Sequence, residues 1–171
     1  MRPPFDASAW HELVSENTIR KALATYCRAM DRIDAPLGYT VWHDDGLADY
    51  GSYFTGTGHA FVDKVCRFHR RLAAHAHHVT NMLIDVKDDR AASEAYVYVA
   101  LLAASDQGHV LTTVSGRYLD RWSFRHGRWA IEQRRYVRDL AYSRQVEPEA
   151  AASTHDRSCP SYAIFDSLNP P

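Results

Sequence analysis

The chain has 171 residues, is 46% hydrophobic and 24% charged, and carries a formal net charge of −1 at pH 7. These values are ordinary for one soluble globular domain with its own core, and they argue against electrostatic capture of nucleic acid. The three cysteines are far apart and lack a C-x-x-C spacing, which indicates reduced thiols of a cytoplasmic protein rather than a disulfide framework.

The amino-terminal residues 1–10 contain no apolar segment of the kind found in a signal peptide. No apolar run anywhere approaches the roughly 20 residues that span a bilayer. We therefore expect a cytoplasmic protein with no membrane association.

Helical periodicity comes first along the chain. Apolar residues recur at steps of three to five between about Ala9 and Arg32, which predicts one helix, with a break near Ser15 left open. Pro36 disfavours helix at the preceding residue and ends this segment. Residues 39–58 are rich in aromatic residues, Gly and Asp, and favour short strands and turns, with a loop at 55–58. A second amphipathic helix is predicted from His59 to about Ala74.

The period then changes to two, which is typical of strands. Strands are predicted at 79–86, 91–104, 110–124 and 127–142, joined by tight turns. Helices followed by an antiparallel meander indicate an α+β domain, with the helices packed on one face of a curved sheet. We predict a domain over residues 1–142 and a tail or arm over 143–171, which packs on its own or a neighbouring subunit or is partly disordered.

Three histidines lie close together in the stretch AHAHHVTN, residues 74–81. An H-x-H on a strand places His75 and His77 on one face, where a third ligand from elsewhere would complete a metal site. No H-E-x-x-H, C-x-x-C or spaced carboxylate cluster accompanies them. We therefore expect no metal, and solvated side chains for His75 and His78.

Three motifs occur in order: Tyr26-x4-Asp31-Arg32 near the end of the first helix, His77-His78-Val79-Thr80-Asn81 on a strand, and Trp129-x4-Arg134 on the last strand. With the order of helices and strands, this set resembles the SnoaL-like branch of the NTF2-like superfamily. It is most similar to the lyases scytalone dehydratase, hexachlorocyclohexane dehydrochlorinase and bile-acid 7α-dehydratase. The resemblance implies an α+β cone with the N-terminal helices packed on a strongly curved antiparallel sheet.

The resemblance also implies a catalytic site in a cone-shaped pocket. In those lyases a histidine–aspartate dyad takes a proton from carbon while a leaving group departs. Matched by motif, the histidine is His77, the aspartate Asp31, the arginine Arg134 and the helical tyrosine Tyr26. A neutral imidazole held by a carboxylate is a suitable base near pH 7, and arginine or tyrosine can stabilise a developing oxyanion.

Further pocket residues are predicted from strand alternation, from the aromatic segment and from the histidine motif. Many aromatic side chains suit a hydrophobic, cyclic substrate. The candidates for substrate binding are Trp42, Tyr50, Tyr53, Phe54, Asn81, Tyr96 and Tyr98.

The sequence thus predicts a cofactor-independent lyase, of dehydratase type, or an isomerase, and leaves the choice between them open. A non-catalytic β subunit of an aromatic-ring dioxygenase and a polyketide-type cyclase are the alternatives, because one fold serves many functions. The resemblance implies a homo-oligomer, with a trimer favoured over a dimer. We expect a small hydrophobic substrate as partner, and no nucleic acid or membrane.

Overall fold

The computed structural model describes residues 6–147 and 154–168 and has the expected α+β architecture. The helices are α1 (Ala7–Asp31), α2 (Ala35–Tyr39), α3 (Gly58–His69) and α4 (Pro160–Asp166), with a short 3-10 helix at Gly51–Tyr53. The strands are β1 (Trp42–Asp49), β2 (Thr55–Thr57), β3 (Ala74–Lys87), β4 (Arg90–Ser105), β5 (Gly108–Arg125) and β6 (Arg128–Val146).

Helix α1 is continuous, so the break considered near Ser15 does not occur. Asp6 caps its first turn by accepting hydrogen bonds from two backbone N–H groups. The helix ends at Asp31, where Ile33 takes a positive φ of 53° and turns the chain towards α2. Among the described helices, none is both long and apolar enough to cross a membrane.

The sheet is mixed rather than wholly antiparallel. Its strand order is β2-β1-β6-β5-β4-β3, and β1 runs parallel to β6 while all other neighbours are antiparallel. Strand β1 comes before α3 in the chain, yet it pairs with β6, the last strand of the later meander, and runs in the same direction as that strand. The predicted meander itself, β3 to β6, is confirmed.

Bulges interrupt the long strands. The register shifts between Thr80 and Leu83 in β3, and twice along the β5–β6 pair. Such bulges bend strands and increase their twist, so the sheet curves around the helices. Close approach of backbones at one bulge requires Gly116, because a Cβ there would lie 2.4 Å from the Val137 carbonyl oxygen.

The junction between α3 and β3 differs from the prediction. Helix α3 ends at His69 rather than near Ala74, and β3 begins at Ala74 rather than at residue 79. Strand β3 starts at Ala74 because its pairing with β4 begins there, with Ala74 opposite Leu102. The histidine cluster therefore lies on a strand, with alternate side chains on opposite faces of the sheet.

The C-terminal segment packs on the end of α1. Strand β6 continues past the boundary expected at residue 142, and residues 148–153 and 169–171 of the predicted tail lie outside the described residues. The Arg28 guanidinium lies 4.5 Å from the centre of the Tyr162 ring, and the Tyr162 hydroxyl donates to Asp34 at 2.7 Å. Residues 154–168 are thus an arm on their own subunit.

Candidate active site

A cavity of about 560 Å³ lies between the inner face of the sheet, the end of α1 and helix α3. Most of its lining is aromatic or aliphatic. The lining residues are Tyr26, Tyr50, Gly51, Ser52, Tyr53, Phe61, Val65, Phe68, His69, His77, Val99, Leu101, Val114, Tyr118, Tyr136 and Arg138. This volume and composition suit a small hydrophobic ligand.

One wall of the cavity holds a histidine–carboxylate pair. His77 Nδ1 lies 2.7 Å from Oδ1 of Asp31, and the backbone N–H of His77 donates to Oδ2 at 3.1 Å. Asp31 is the last residue of α1, where the helix dipole disfavours a negative charge. The two N–H donors of His77 offset that cost and lock the carboxylate in place.

The partner of each ring nitrogen determines the tautomer of His77. A carboxylate only accepts hydrogen bonds, so Nδ1 carries the proton and Nε2 of the neutral ring is bare. Nε2 makes no hydrogen bond with any described residue, and the protein does not enclose this atom completely. The geometry gives a base with a free nitrogen and a carboxylate to stabilise the imidazolium that forms on protonation.

Two phenols face the same cavity. The hydroxyls of Tyr26 and Tyr50 lie 3.5 Å apart. Burial raises the pKa of Tyr50 to about 12 against the opposing charge of Arg134, and it raises the pKa of Tyr26 well above its ordinary value. Both phenols are therefore neutral hydrogen-bond donors near pH 7.

Arg134 is not where the sequence placed it. The prediction put it in the pocket, but its side chain is fully buried and pairs with Asp120 through two hydrogen bonds of 2.7 Å. Its guanidinium lies 3.8 Å from the ring centre of Tyr118 and 4.5 Å from that of Tyr26, two residues that do line the cavity. Burial alone would lower the pKa of Arg134, but Asp120 raises it above its ordinary value.

The aromatic segment contributes two of its four predicted residues. Tyr50 and Tyr53 line the cavity, while Trp42 and Phe54 do not. Trp42 is fully buried against the first turn of α3, where a Cβ at Gly58 would lie 2.1 Å from its ring. Phe54 packs behind the lining residue Phe61, with ring centres 5.3 Å apart.

Three other predicted pocket residues lie outside the cavity lining. Tyr96 and Tyr98 are each 43% exposed and alternate with the lining residues Val99 and Leu101, so they face the opposite side of β4. Asn81 is exposed in the β3 bulge, with a φ of 47°. The pocket side of β4 was therefore assigned to the wrong set of alternating residues.

The histidine cluster also departs from expectation. His75, expected to be solvated, is buried and donates through Nε2 to the Met30 carbonyl at 3.3 Å. His78 is exposed on the outer face beside Tyr98, as expected. Within residues 6–147 and 154–168, no group of three or more His, Cys, Asp or Glu side chains is placed to hold a metal ion.

Several lining residues were not predicted as such. His69 is the polar omission on α3, and the omissions on the sheet are Val99, Leu101, Val114, Tyr118, Tyr136 and Arg138. A signal for His69 was present, because buried residues of α3 recur at Phe61, Val65 and His69, a spacing of four. For the strands, alternation defined both faces without indicating which one is inside.

Solved structures of similar fold cover most of the chain. A candidate scytalone dehydratase from Novosphingobium aromaticivorans matches with 19% identity and a TM-score of 0.67, over 82% of this chain and 97% of the other. A hexachlorocyclohexane dehydrochlorinase from Novosphingobium barchaimii matches with 15% identity and a TM-score of 0.70, over 81% and 97%. A protein of unknown function from Mycobacterium tuberculosis matches with 23% identity and a TM-score of 0.67, over 80% and 78%.

At these identities the structural matches show a shared fold. Comparison with curated protein sequences finds no match. The family model of the SnoaL-like domain matches residues 11–135, a span that includes most of α1, both Asp31 and His77, and most of the sheet. The chain belongs to the SnoaL-like family.

Proposed function

We propose that this protein is a cofactor-independent lyase of dehydratase type, with an isomerase as the related alternative that shares its first step. The supporting observation is the His77–Asp31 pair, whose histidine presents a bare Nε2 on the wall of an apolar cavity. A non-catalytic subunit would have no need of a carboxylate-backed imidazole at that position.

The proposed reaction begins with proton transfer. Nε2 of His77 takes a proton from a carbon next to a carbonyl group, and the electron pair of that C–H bond moves onto the carbonyl oxygen as an enolate. Asp31 stabilises the imidazolium. When the enolate collapses, the C–O bond to a β-hydroxyl breaks, and the imidazolium proton joins the departing oxygen to form water. The base is then neutral again and no redox change has occurred.

The enolate oxygen needs a donor. The Tyr26 and Tyr50 hydroxyls, neutral because of their raised pKa values, supply hydrogen bonds to it. Arg134 acts indirectly, because its charge lies beneath the ring of Tyr26 without lining the cavity. Its bidentate contact with Asp120 offsets much of that charge, so we assign Arg134 a supporting role.

The test uses 3-hydroxy-1-tetralone, a bicyclic β-hydroxy ketone that becomes 1-naphthol when it loses water. In D2O, NMR follows deuterium exchange next to the carbonyl, and fluorescence follows 1-naphthol. We expect both signals with the wild-type protein and with the His78→Ala control, which alters only the outer face. Exchange that persists in His77→Ala would contradict the proposal. Exchange without elimination would favour the isomerase alternative.

We also propose a homotrimer. The outer face of the sheet exposes aromatic and aliphatic side chains that a monomer would leave in water. They are Tyr96 (43%), Tyr98 (43%), Leu140 (57%) and Tyr142 (49%). Sedimentation equilibrium at micromolar concentration is expected to give three times the 19.5 kDa chain mass, and Tyr98→Lys to lower it. A monomer mass for the wild type would contradict this.

A further inference from the structure

A second imidazole lies on the same wall as the base. His69, the last residue of α3, is only 3% exposed and lines the cavity. The ring centres of His69 and His77 are 5.3 Å apart. A ligand that contacts the base therefore lies within reach of both rings.

The tautomer of His69 follows from its partner. Nδ1 lies 3.1 Å from the backbone carbonyl oxygen of Met30, and a carbonyl can only accept a hydrogen bond. Nδ1 therefore carries the proton, and Nε2 presents a lone pair. Nε2 has no hydrogen-bond partner among the described residues. Because the protein does not enclose this atom completely, a ligand can reach it.

His69 and His77 are the same residue type in two electronic settings. A carboxylate holds His77, whereas a neutral carbonyl holds His69. Burial, with the neighbouring imidazoles of His77 and His75, lowers the pKa of His69 to about 3. His69 thus remains neutral at physiological pH and has no proton to give to a leaving group. Its Nε2 can therefore only accept a hydrogen bond.

We infer that Nε2 of His69 accepts a hydrogen bond from a hydroxyl group that the substrate keeps throughout the reaction. The inference rests on the proposed function and narrows its substrate class: a small cyclic β-hydroxy ketone with a further hydroxyl group, as an alcohol, phenol or enol, that does not leave. The departing oxygen is excluded from this contact because it needs a donor. His69 acts as a specificity-determining residue that orients the substrate so that its C–H bond faces His77.

The test measures binding of 1,6-dihydroxynaphthalene and of 6-methoxy-1-naphthol, which share the hydroxyl that corresponds to the ketone oxygen and differ in one further hydrogen-bond donor. For the wild-type protein we expect the diol to bind roughly tenfold more tightly than the ether, the effect of one hydrogen bond. His69→Asn keeps an N–H for the Met30 carbonyl but has no atom at the Nε2 position, and it is expected to abolish the preference. His69→Gln, which returns an acceptor oxygen near that position, is expected to restore part of it.

A direct readout covers the case in which a variant does not fold. In wild-type protein labelled with ¹⁵N-histidine, 1,6-dihydroxynaphthalene is expected to shift the Nε2 resonance of His69, and the ether is not. Equal affinity for the two probes, no binding of either, or a preference that survives in His69→Asn would overturn the inference. So would an unshifted resonance, because His69 also borders a second cavity, beside Arg70 and His155, where water can serve Nε2.

The two proposals fail separately. If the preference vanishes in His77→Gln but persists in His69→Asn, the hydroxyl binds the base and only the His69 inference is wrong. If the preference depends on His69 while neither 3-hydroxy-1-tetralone nor 3,6-dihydroxy-1-tetralone, which carries a hydroxyl that does not leave, shows deuterium exchange, the hydroxyl subsite stands and the lyase proposal is wrong.

Discussion

A histidine–aspartate pair and an arginine–aspartate pair occupy the inner side of the sheet, and their surroundings differ. The His77–Asp31 pair joins β3 to the end of α1, and its side chains are 7% and 16% exposed. The Arg134–Asp120 pair joins β6 to β5 and is 0% exposed on both sides. Each pair leaves one nitrogen without a partner among the described residues, but Nε2 of His77 belongs to a residue that lines the cavity, whereas Nη1 of Arg134 is enclosed by protein.

We infer from this difference that access, rather than residue type, separates the pair proposed to react from the structural one. Arg134, like His77 and Asp31, was expected from sequence to contribute to chemistry, and both pairs have short hydrogen bonds. Only His77 reaches the cavity, while aromatic rings cover Arg134. We therefore expect changes at the first pair to alter the rate with the fold intact, and changes at the second to alter stability first.

The largest effect is expected at His77. His77→Ala removes the base, so kcat for the tetralone should fall by on the order of 10³ or more, which is about 4 kcal/mol of barrier. The thermal unfolding midpoint is expected to change little. The His78→Ala control should retain wild-type kcat; a dead His78→Ala variant would show that the wrong histidine was chosen.

A nearly equal loss is expected at Asp31. Asp31→Asn keeps the shape of the side chain but no longer holds the Nδ1–H tautomer or stabilises the imidazolium. Since both residues act as one unit, the double variant Asp31→Asn, His77→Ala should be no slower than His77→Ala alone. Additive losses in kcat would mean that the two residues act independently.

Breaking the buried pair is expected to destabilise the fold. Asp120→Asn leaves the Arg134 charge buried without a counter-ion, which should lower the free energy of unfolding by about 3 kcal/mol. Urea denaturation measures this loss. The double variant Arg134→Met, Asp120→Leu removes both charges and should recover most of it. If Asp120→Asn were as stable as the wild type while kcat collapsed, the proposed division between the pairs would be reversed.

The sequence predicted the order of elements because periodicity is a local property. The 3.6-residue pattern of α1 and the alternation in β3 to β6 each depend on neighbouring residues, and these elements are present. The parallel pairing of β1 with β6 joins segments about 90 residues apart, as in Trp42 opposite Ile131, and no local pattern encodes it. The start of β3 at Ala74 was missed for the same reason.

The site was predictable where a motif carried it. Motif matching paired Asp31 with His77 across 46 positions, and the structure brings them into contact. Alternation alone was insufficient on β4, because Tyr98 and Val99 are both plausible lining residues until the position of α3 is known. The ion pair of Arg134 with Asp120 could not be foreseen either, because it depends on the register of β5 against β6.

The smallest expected effect is on the pH dependence of stability, and it again separates the two regions. Burial lowers the pKa of His69 to about 3 and that of His75 to about 4, from 6.5 for an exposed histidine. Well above pH 6.5 neither the folded nor the unfolded protein binds these protons. As the pH falls below 6.5, the unfolded chain takes them up while the folded protein does not, so stability is lost towards the folded pKa values.

Each histidine contributes at most about 1.4 kcal/mol per pH unit in that window, so between pH 7 and pH 5.5 the free energy of unfolding should fall by about 2 kcal/mol. Urea midpoints at the two pH values measure this. Arg134 should contribute nothing to the change, because Asp120 raises its pKa and keeps the guanidinium charged throughout. His69→Gln, which removes one of the buried histidines whose pKa is lowered, should reduce the slope, while His43 and His75 continue to contribute. If His69→Gln did not alter the pH dependence of the free energy of unfolding, the buried histidines would ionise as freely as exposed ones. The contrast between the two regions would then concern catalysis alone.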